Sequence, residues 1–183
     1  HSTRRTGWSV ANGQIDLAII GGQLPGDLEN LLQVIPYATD ELALVLPSKH
    51  SLSNKKELLK EDLYKLNFVS LDSQSTTRKV VDKLLRDSGL DIQRLKIEME
   101  LNSLEAIKNA VQSGLGASFL PVVSIERELA AETIHKVSIA DLEVKRELKL
   151  ISNPSRYTSR ASEIFKKNIL PQFASLESPL RQI

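Results

Sequence analysis

Apolar and polar positions fall in blocks along this chain, and the period switches between that of a strand and that of an amphipathic helix. Trp8, Val10 and Ala11, closed by Gly13, predict a short helix over 4–12. The run Ile15-Asp16-Leu17-Ala18-Ile19-Ile20 ends in Gly21-Gly22 and suits a buried parallel strand. Residues 24–30, around Pro25-Gly26, read as a polar loop. Two strands are expected next, over 32–37 and 42–46, the second stopped by Pro47.

Beyond Pro47 the texture changes, and 48–60 is polar and lysine-rich. A helical turn is expected over 61–66 and a strand over 67–71. Asp72-Ser73-Gln74-Ser75-Thr76 offers several capping side chains in a row. The helix behind it carries Val80, Val81, Leu84 and Leu85 on one face and ends near Gly89. Lys96-Ile97-Glu98-Met99-Glu100-Leu101 alternates strictly, a strand with one wet face. Asn102-Ser103-Leu104-Glu105 reads as a capping-box variant with Asn102 as the cap. It opens a helix with Leu104, Ile107 and Val111 inward. A strand over 117–120, a helix over 122–131, strands over 133–139 and 144–151, and a helix over 156–170 stopped by Pro171 complete the order.

Alternating strands and helices make the class α/β with mostly parallel sheets. The chain reads as divided at Leu46-Pro47 and again at Ser152-Asn153-Pro154, so a central lobe (47–152) is expected inside an outer one (1–46 and 153–183). These five residues are the expected hinge between two lobes with a cleft between them.

Composition narrows the function. With 41% apolar residues in 183, the chain can build a core. Lys plus Arg number 24 and Asp plus Glu 23, interleaved, which argues against DNA contact by this piece alone. The absence of cysteine excludes disulfides, thiol chemistry and Cys-based metal sites. No run reaches the roughly 18 apolar residues of a membrane span, and the N-terminus lacks the apolar stretch of a signal peptide. A cytosol-like compartment and no membrane partner are the expectation. The chain opens straight into a helical pattern, as a fragment of something longer would.

Catalytic chemistry finds no support. His1, His50 and His135 are far apart and lack metal-type spacing. No nucleophile elbow, Walker loop or dinucleotide fingerprint occurs. Neither a metal nor a cofactor is expected, and the chain is read as no enzyme.

Two segments point to binding. Ser2-Thr3 precedes a helix that begins Arg4-Arg5, and Ser73-Gln74-Ser75-Thr76-Thr77-Arg78 lies between a strand and a helix. Helix starts present unpaired N–H groups and a positive dipole end. Hydroxyls add donors, and arginine adds a forked cation for carboxylate or phosphate. A small anion suits both segments. Capping alone would also explain the hydroxyls.

The stretches "HSTRRTGWSVANGQIDLAIIGG", "DELALVLP", "FVSLDSQSTTRKVVDKLL" and "IEMELNSLEAIKNAVQSGLGASFLP" resemble the effector-binding domain of LysR-type transcription regulators. The similarity runs over nearly all of 1–170. It is strongest to the carbon-fixation branch of cyanobacteria and plastids, the RbcR, CmpR and NdhR group. The resemblance implies two Rossmann-like lobes joined by a two-strand hinge, like type 2 periplasmic binding proteins, with an effector in the interlobe cleft. It places Ser2 and Thr3 on one wall, Ser73 to Thr76 on the other, and Asn102 and Ser103 near the rim. The effectors it suggests are 2-phosphoglycolate, ribulose 1,5-bisphosphate and 2-oxoglutarate. It further implies a homodimer or homotetramer in the cytoplasm or plastid stroma, touching DNA through an N-terminal helix-turn-helix outside this sequence. The family's first strand and helix of the outer lobe are also missing, so the domain reads as N-terminally truncated. Two other readings stay open: a transporter's solute-binding component, and an enzyme on the same scaffold.

Overall fold

The computed structural model describes residues 2–53 and 55–169. The alternation of helix and strand resolves into two units, His1–Asp40 with Arg146–Ile183, and Glu41–Lys145.

The first unit begins with α1 (Thr3–Ala11), β1 (Leu17–Ile20) and α2 (Gly26–Glu29). It takes the opening of β2 (Gln33–Pro47) and nearly all of β8 (Lys145–Ser152). It ends with α6 (Arg160–Ile164) and one π-helical turn, Phe165–Ile169. β1 pairs antiparallel with β8, Leu17 opposite Ser152 and Ile20 opposite Lys149. Val10, Ala11, Ile20, Leu28, Leu32 and Ile151 form its core. Gly7 lets α1 close on α2, since a Cβ there would stand 2.7 Å from Leu28 Cδ1. The buried Asp40 carboxylate accepts a hydrogen bond from Arg146 Nε at 2.8 Å.

The second unit runs through β3 (Glu57–Leu58), a 3-10 turn (Lys60–Lys65), β4 (Asn67–Leu71), α3 (Thr76–Asp87) and β5 (Lys96–Leu101). It continues with α4 (Leu104–Gln112), β6 (Ser118–Pro121), α5 (Glu126–Ala130) and β7 (Ile134–Ile139). The later half of β2 pairs antiparallel with both β6 and β7. β3 runs parallel to β7, and β4 parallel to β5. Two apolar clusters fill this unit, one around Leu44, Leu63, Phe68 and Leu85, the other around Val45, Ile107, Val111 and Leu120. Ala117 N donates to Asn67 O, and Val69 N to Ala117 O, which ties β4 to the start of β6. Gly116 makes that approach possible, because a Cβ there would lie 2.6 Å from Asn67 O.

The structure corrects several expectations. The sheets are mixed rather than mostly parallel: the pairings of β2 and β8 given above are antiparallel. The two strands expected over 32–37 and 42–46 are one strand, β2. The polar residues Thr39, Asp40 and Glu41 mark where β2 passes from one unit to the other, not a turn. The passages therefore fall at Asp40–Glu41 and Lys145–Arg146, earlier than the expected Leu46-Pro47 and Ser152-Asn153-Pro154. Proline marks a strand end, and both strand ends lie inside a unit. Leu46 and Pro47 pair with His135 and Ile134 in the second unit's sheet. Ser152 pairs with Leu17 in the first, and Asn153 donates from Nδ2 to Ala11 O at 3.0 Å. Pro154 comes next, in a turn.

Smaller differences have local causes. The polar loop at 24–30 holds α2, started by Pro25 and closed over buried Leu28. The helix expected over 122–131 is a 3-10 turn, Val122–Ser124, and then the shorter α5. The last helix starts at Arg160 rather than near 156, where Ser159 supplies the cap. Its expected end at Leu170 and Pro171 lies outside the described residues.

Candidate functional site

β4 and β5 lie side by side and parallel, with Leu71 opposite Leu101, so their carboxyl ends release two loops at one edge of the second unit. Ligands of α/β folds gather at such edges. The loop after β4 is Asp72-Ser73-Gln74-Ser75, leading into α3. The loop after β5 is Asn102-Ser103, leading into α4. Asp72 N donates to Leu101 O at 3.0 Å and joins the two loops.

Asp72 sets the shape of the first loop. Its Oδ1 accepts from Gln74 N at 2.9 Å, and its carbonyl accepts from Ser75 N at 2.9 Å. Ser75 then takes the N-cap position with extended backbone and makes no side-chain capping bond. No acidic residue stands in the first turn of α3. Val81 and Leu85 bury the opposite face. Thr76 opens the helix and is half-buried.

The second loop is built differently. The cap of α4 is Ser103, not Asn102: its hydroxyl accepts from Ala106 N at 3.5 Å. Glu105 adds a negative charge at the positive end of the helix dipole. One turn on, Lys108 is buried and pairs with Glu105 at 2.7 Å and Glu128 at 2.9 Å, and donates to Ser124 O at 3.1 Å. The hydrogen bonds to Glu105 and Glu128 hold the Lys108 ammonium above the ordinary lysine value, against the opposing effect of burial. The hydrogen bond from Lys108 holds Glu128 below the usual carboxylate range, again against burial.

The other segment singled out in the sequence opens the first unit. Ser2 caps α1 by accepting from Arg5 N at 3.4 Å, and Thr3 is buried in the first turn, which again has no acid. Arg4 turns to the surface and pairs with Asp27 on α2 at 2.8 Å. That exposed pair contributes little to stability, but it engages the cation expected to face an anion.

Arg78 is engaged more completely. Its Nε donates to both oxygens of Asp82, at 2.8 and 2.9 Å. Its Nη1 reaches Ser70 Oγ at 2.9 Å, Leu71 O at 3.3 Å and Glu100 at 3.3 Å. Both arginines thus have carboxylate partners within the chain, and the two helix starts also carry hydroxyls and backbone amides. Sequence reading misses what Lys108 and Arg78 hold. The i,i+3 spacing of Glu105 and Lys108 and the i,i+4 spacing of Arg78 and Asp82 are the available signals.

The histidines stay apart: His50 accepts at Nδ1 from Leu52 N at 3.2 Å, and His135 sits opposite Leu46 in the sheet. Among the described residues no group of three or more His, Asp or Glu side chains could hold a metal. Among them too, no helix is long and apolar enough to cross a membrane.

Comparison with known proteins decides the family. The LysR substrate binding domain model matches residues 2–174. The chain belongs to that family. It is 59% identical over 175 residues to the "Probable RuBisCO transcriptional regulator" of Synechocystis sp., covering 96% of this chain and 51% of that protein. The protein of the same name in Guillardia theta is 55% identical, with 96% and 56% covered. The chain thus spans about half the length of the curated relatives it matches. Those relatives are named as transcription regulators, not enzymes. Among solved structures, the CcmR regulatory domain of Synechocystis in complex with 2-PG superposes with a TM-score of 0.79 at 22% identity, covering 98% of this chain and 81% of that one. The effector binding domain of QuiR in complex with shikimate gives 0.78 at 22%, covering 96% and 79%. At that identity the likeness concerns the fold, the two-lobed α/β arrangement of periplasmic binding proteins expected from the resemblance.

Proposed function

We propose that this LysR substrate binding domain senses a small anionic metabolite for a regulator of CO2-fixation genes. The observation that carries the anion is a contrast among the helices. Of the described α-helices, α1 and α3 alone have no acidic residue in the first turn; α2, α4, α5 and α6 each have one or more. An acid in that turn would repel an anionic ligand, and its absence leaves the positive dipole end uncompensated. Both helices begin at hydroxyl side chains, Ser2 and Thr3 in one and Ser75 and Thr76 in the other, with Ser73 and Gln74 just before. Asn102 and Ser103 leave the same sheet edge as Asp72 and stand at the margin of the site.

The ligand chemistry is that of a carboxylate or phosphate ester: 2-phosphoglycolate, ribulose 1,5-bisphosphate or 2-oxoglutarate. Control of CO2 fixation is supported by the names of relatives more than 50% identical. The whole protein would act as a homodimer or homotetramer in the cytoplasm or plastid stroma. It would reach DNA through a helix-turn-helix outside this sequence. Calorimetric titration of the three anions into the chain tests the proposal. One of them should bind, and should still bind in about 100 mM chloride, which screens unspecific attraction. Heat traces flat for all three would sink it.

A further inference from the structure

We propose that Arg78 is a positioning residue for this site: it fixes the loop after β4 and the first turn of α3 without touching the effector. The inference rests on reading the start of α3 as part of the effector site.

Arg78 is the third residue of α3, and its side chain is 14% exposed. It turns back from the helix over the end of β4. Nη1 holds Ser70 and the carbonyl of Leu71, the last two residues of that strand, and reaches Glu100 on β5. Nε is held from below by Asp82, one turn further along α3. One guanidinium therefore ties three elements together at the edge where the Asp72-Ser73-Gln74-Ser75 loop departs. The loop has few other fastenings: the Asp72 turn, the bond from Asp72 N to Leu101 O, and a long one from Lys79 Nζ to Gln74 Oε1 at 3.5 Å. Ser75 adds no side-chain cap. Arg78 supplies instead a tether from the first turn of α3 to the ends of β4 and β5, and two carboxylates, Asp82 and Glu100, hold its charge. The planar fork matters, because a single ammonium cannot serve Asp82, Ser70 and Leu71 in these directions together.

The test uses the full chain with two variants, Arg78→Gln and Arg78→Lys, and two readouts. Hydrogen exchange without ligand reads the bonded amides of Asp72, Gln74, Ser75 and Lys79. Arg78→Gln should speed their exchange by about tenfold while amides of β7 and β8 keep wild-type rates. Titration with 2-phosphoglycolate, 2-oxoglutarate and inorganic phosphate should show about tenfold weaker binding of whichever anion the wild type takes. Arg78→Lys should rescue neither readout. Full rescue by lysine would overturn the proposal, since a point charge would then suffice. Weaker binding with unchanged exchange would also overturn it, because Arg78 would then be contacting the ligand. If wild type binds none of these three anions and no ribulose 1,5-bisphosphate either, the functional reading fails. The exchange rates then still decide whether Arg78 orders the loop.

Discussion

Two helices of the second unit leave neighbouring parallel strands at the same sheet edge, and they begin in opposite ways. α4 is closed by its own residues: Ser103 caps it, Glu105 answers its dipole, and buried Lys108 pins its first turns to α5. α3 has a cap residue without a side-chain capping bond and no acid in its first turn, and takes its support from Arg78 behind it. A helix start with an acid in its first turn already answers its own dipole and repels an anion. One without that acid, braced from elsewhere, keeps its positive end for an anion. The fastening and the proposed anion site thus fall on different helices.

The largest expected effect is at the fastened helix. Lys108→Met leaves half-buried Glu128 without its cation and should cost about 3 kcal/mol of stability near neutral pH, the low end for a broken buried pair, read by urea unfolding. Glu128 has a depressed pKa in the folded chain, so the stability it contributes is present above its unfolded value and is lost as pH falls through the folded one. The gap between wild type and variant should therefore narrow on acidification. A gap that stays constant down to the acid limit would separate Glu128 from the effect. The open helix should respond in affinity instead. Thr76→Val should weaken effector binding by about 1.5–3 kcal/mol, the worth of a hydrogen bond to a charged group, with unfolding little changed. Equal binding by calorimetry would remove Thr76 from the site.

The caps give the most direct comparison. Ser103→Ala should lower stability by about 1 kcal/mol, as the loss of a working N-cap does, whereas Ser75→Ala should leave the unfolding midpoint within error. Equal losses at both would mean that the two helix starts are not different after all. The smallest effect is a substitution that makes α3 resemble α4. Thr77→Glu places an acid in the first turn and should raise stability by about 0.3–1 kcal/mol through the dipole. Its informative consequence is weaker anion binding in the same protein. A gain in stability with undiminished affinity would show that the dipole end plays no part in recognition.

The contrast is half legible in the sequence. Ser73 to Thr76 stand out because hydroxyls and amides between a strand and a helix have few structural uses besides capping and binding. Which of them caps is a matter of backbone angle, and one residue of register moves the cap of α4 from Asn102 to Ser103. The partners of Arg78 on β4 and β5 depend on strands pairing across the unit, which periodicity does not report. β2 reads as two strands because Thr39, Asp40 and Glu41 interrupt the apolar run. The interruption is real, but it marks a passage between units along one continuous strand. The prolines at 47 and 154 attract the boundaries because proline ends strands, and here the strands end beyond the passages. The order of the longer helices and strands survives these errors, since it rests on strongly periodic segments.

The division of the chain also bears on the order in which a ribosome would complete it. The second unit is one continuous stretch, Glu41–Lys145, whereas the first needs Arg146 and the residues after it. During synthesis α1, β1 and α2 emerge before the inner stretch, yet β1 must wait for β8, because Leu17 finds its partner only at Ser152. Ile20, which belongs to the first unit's core, waits for Ile151 as well. Of these two units, the one whose residues begin to emerge earlier is therefore completed later. The opening residues, Ser2 and Thr3 among them, would spend the making of the whole inner stretch as a nascent segment with an unfinished sheet, available to chaperones.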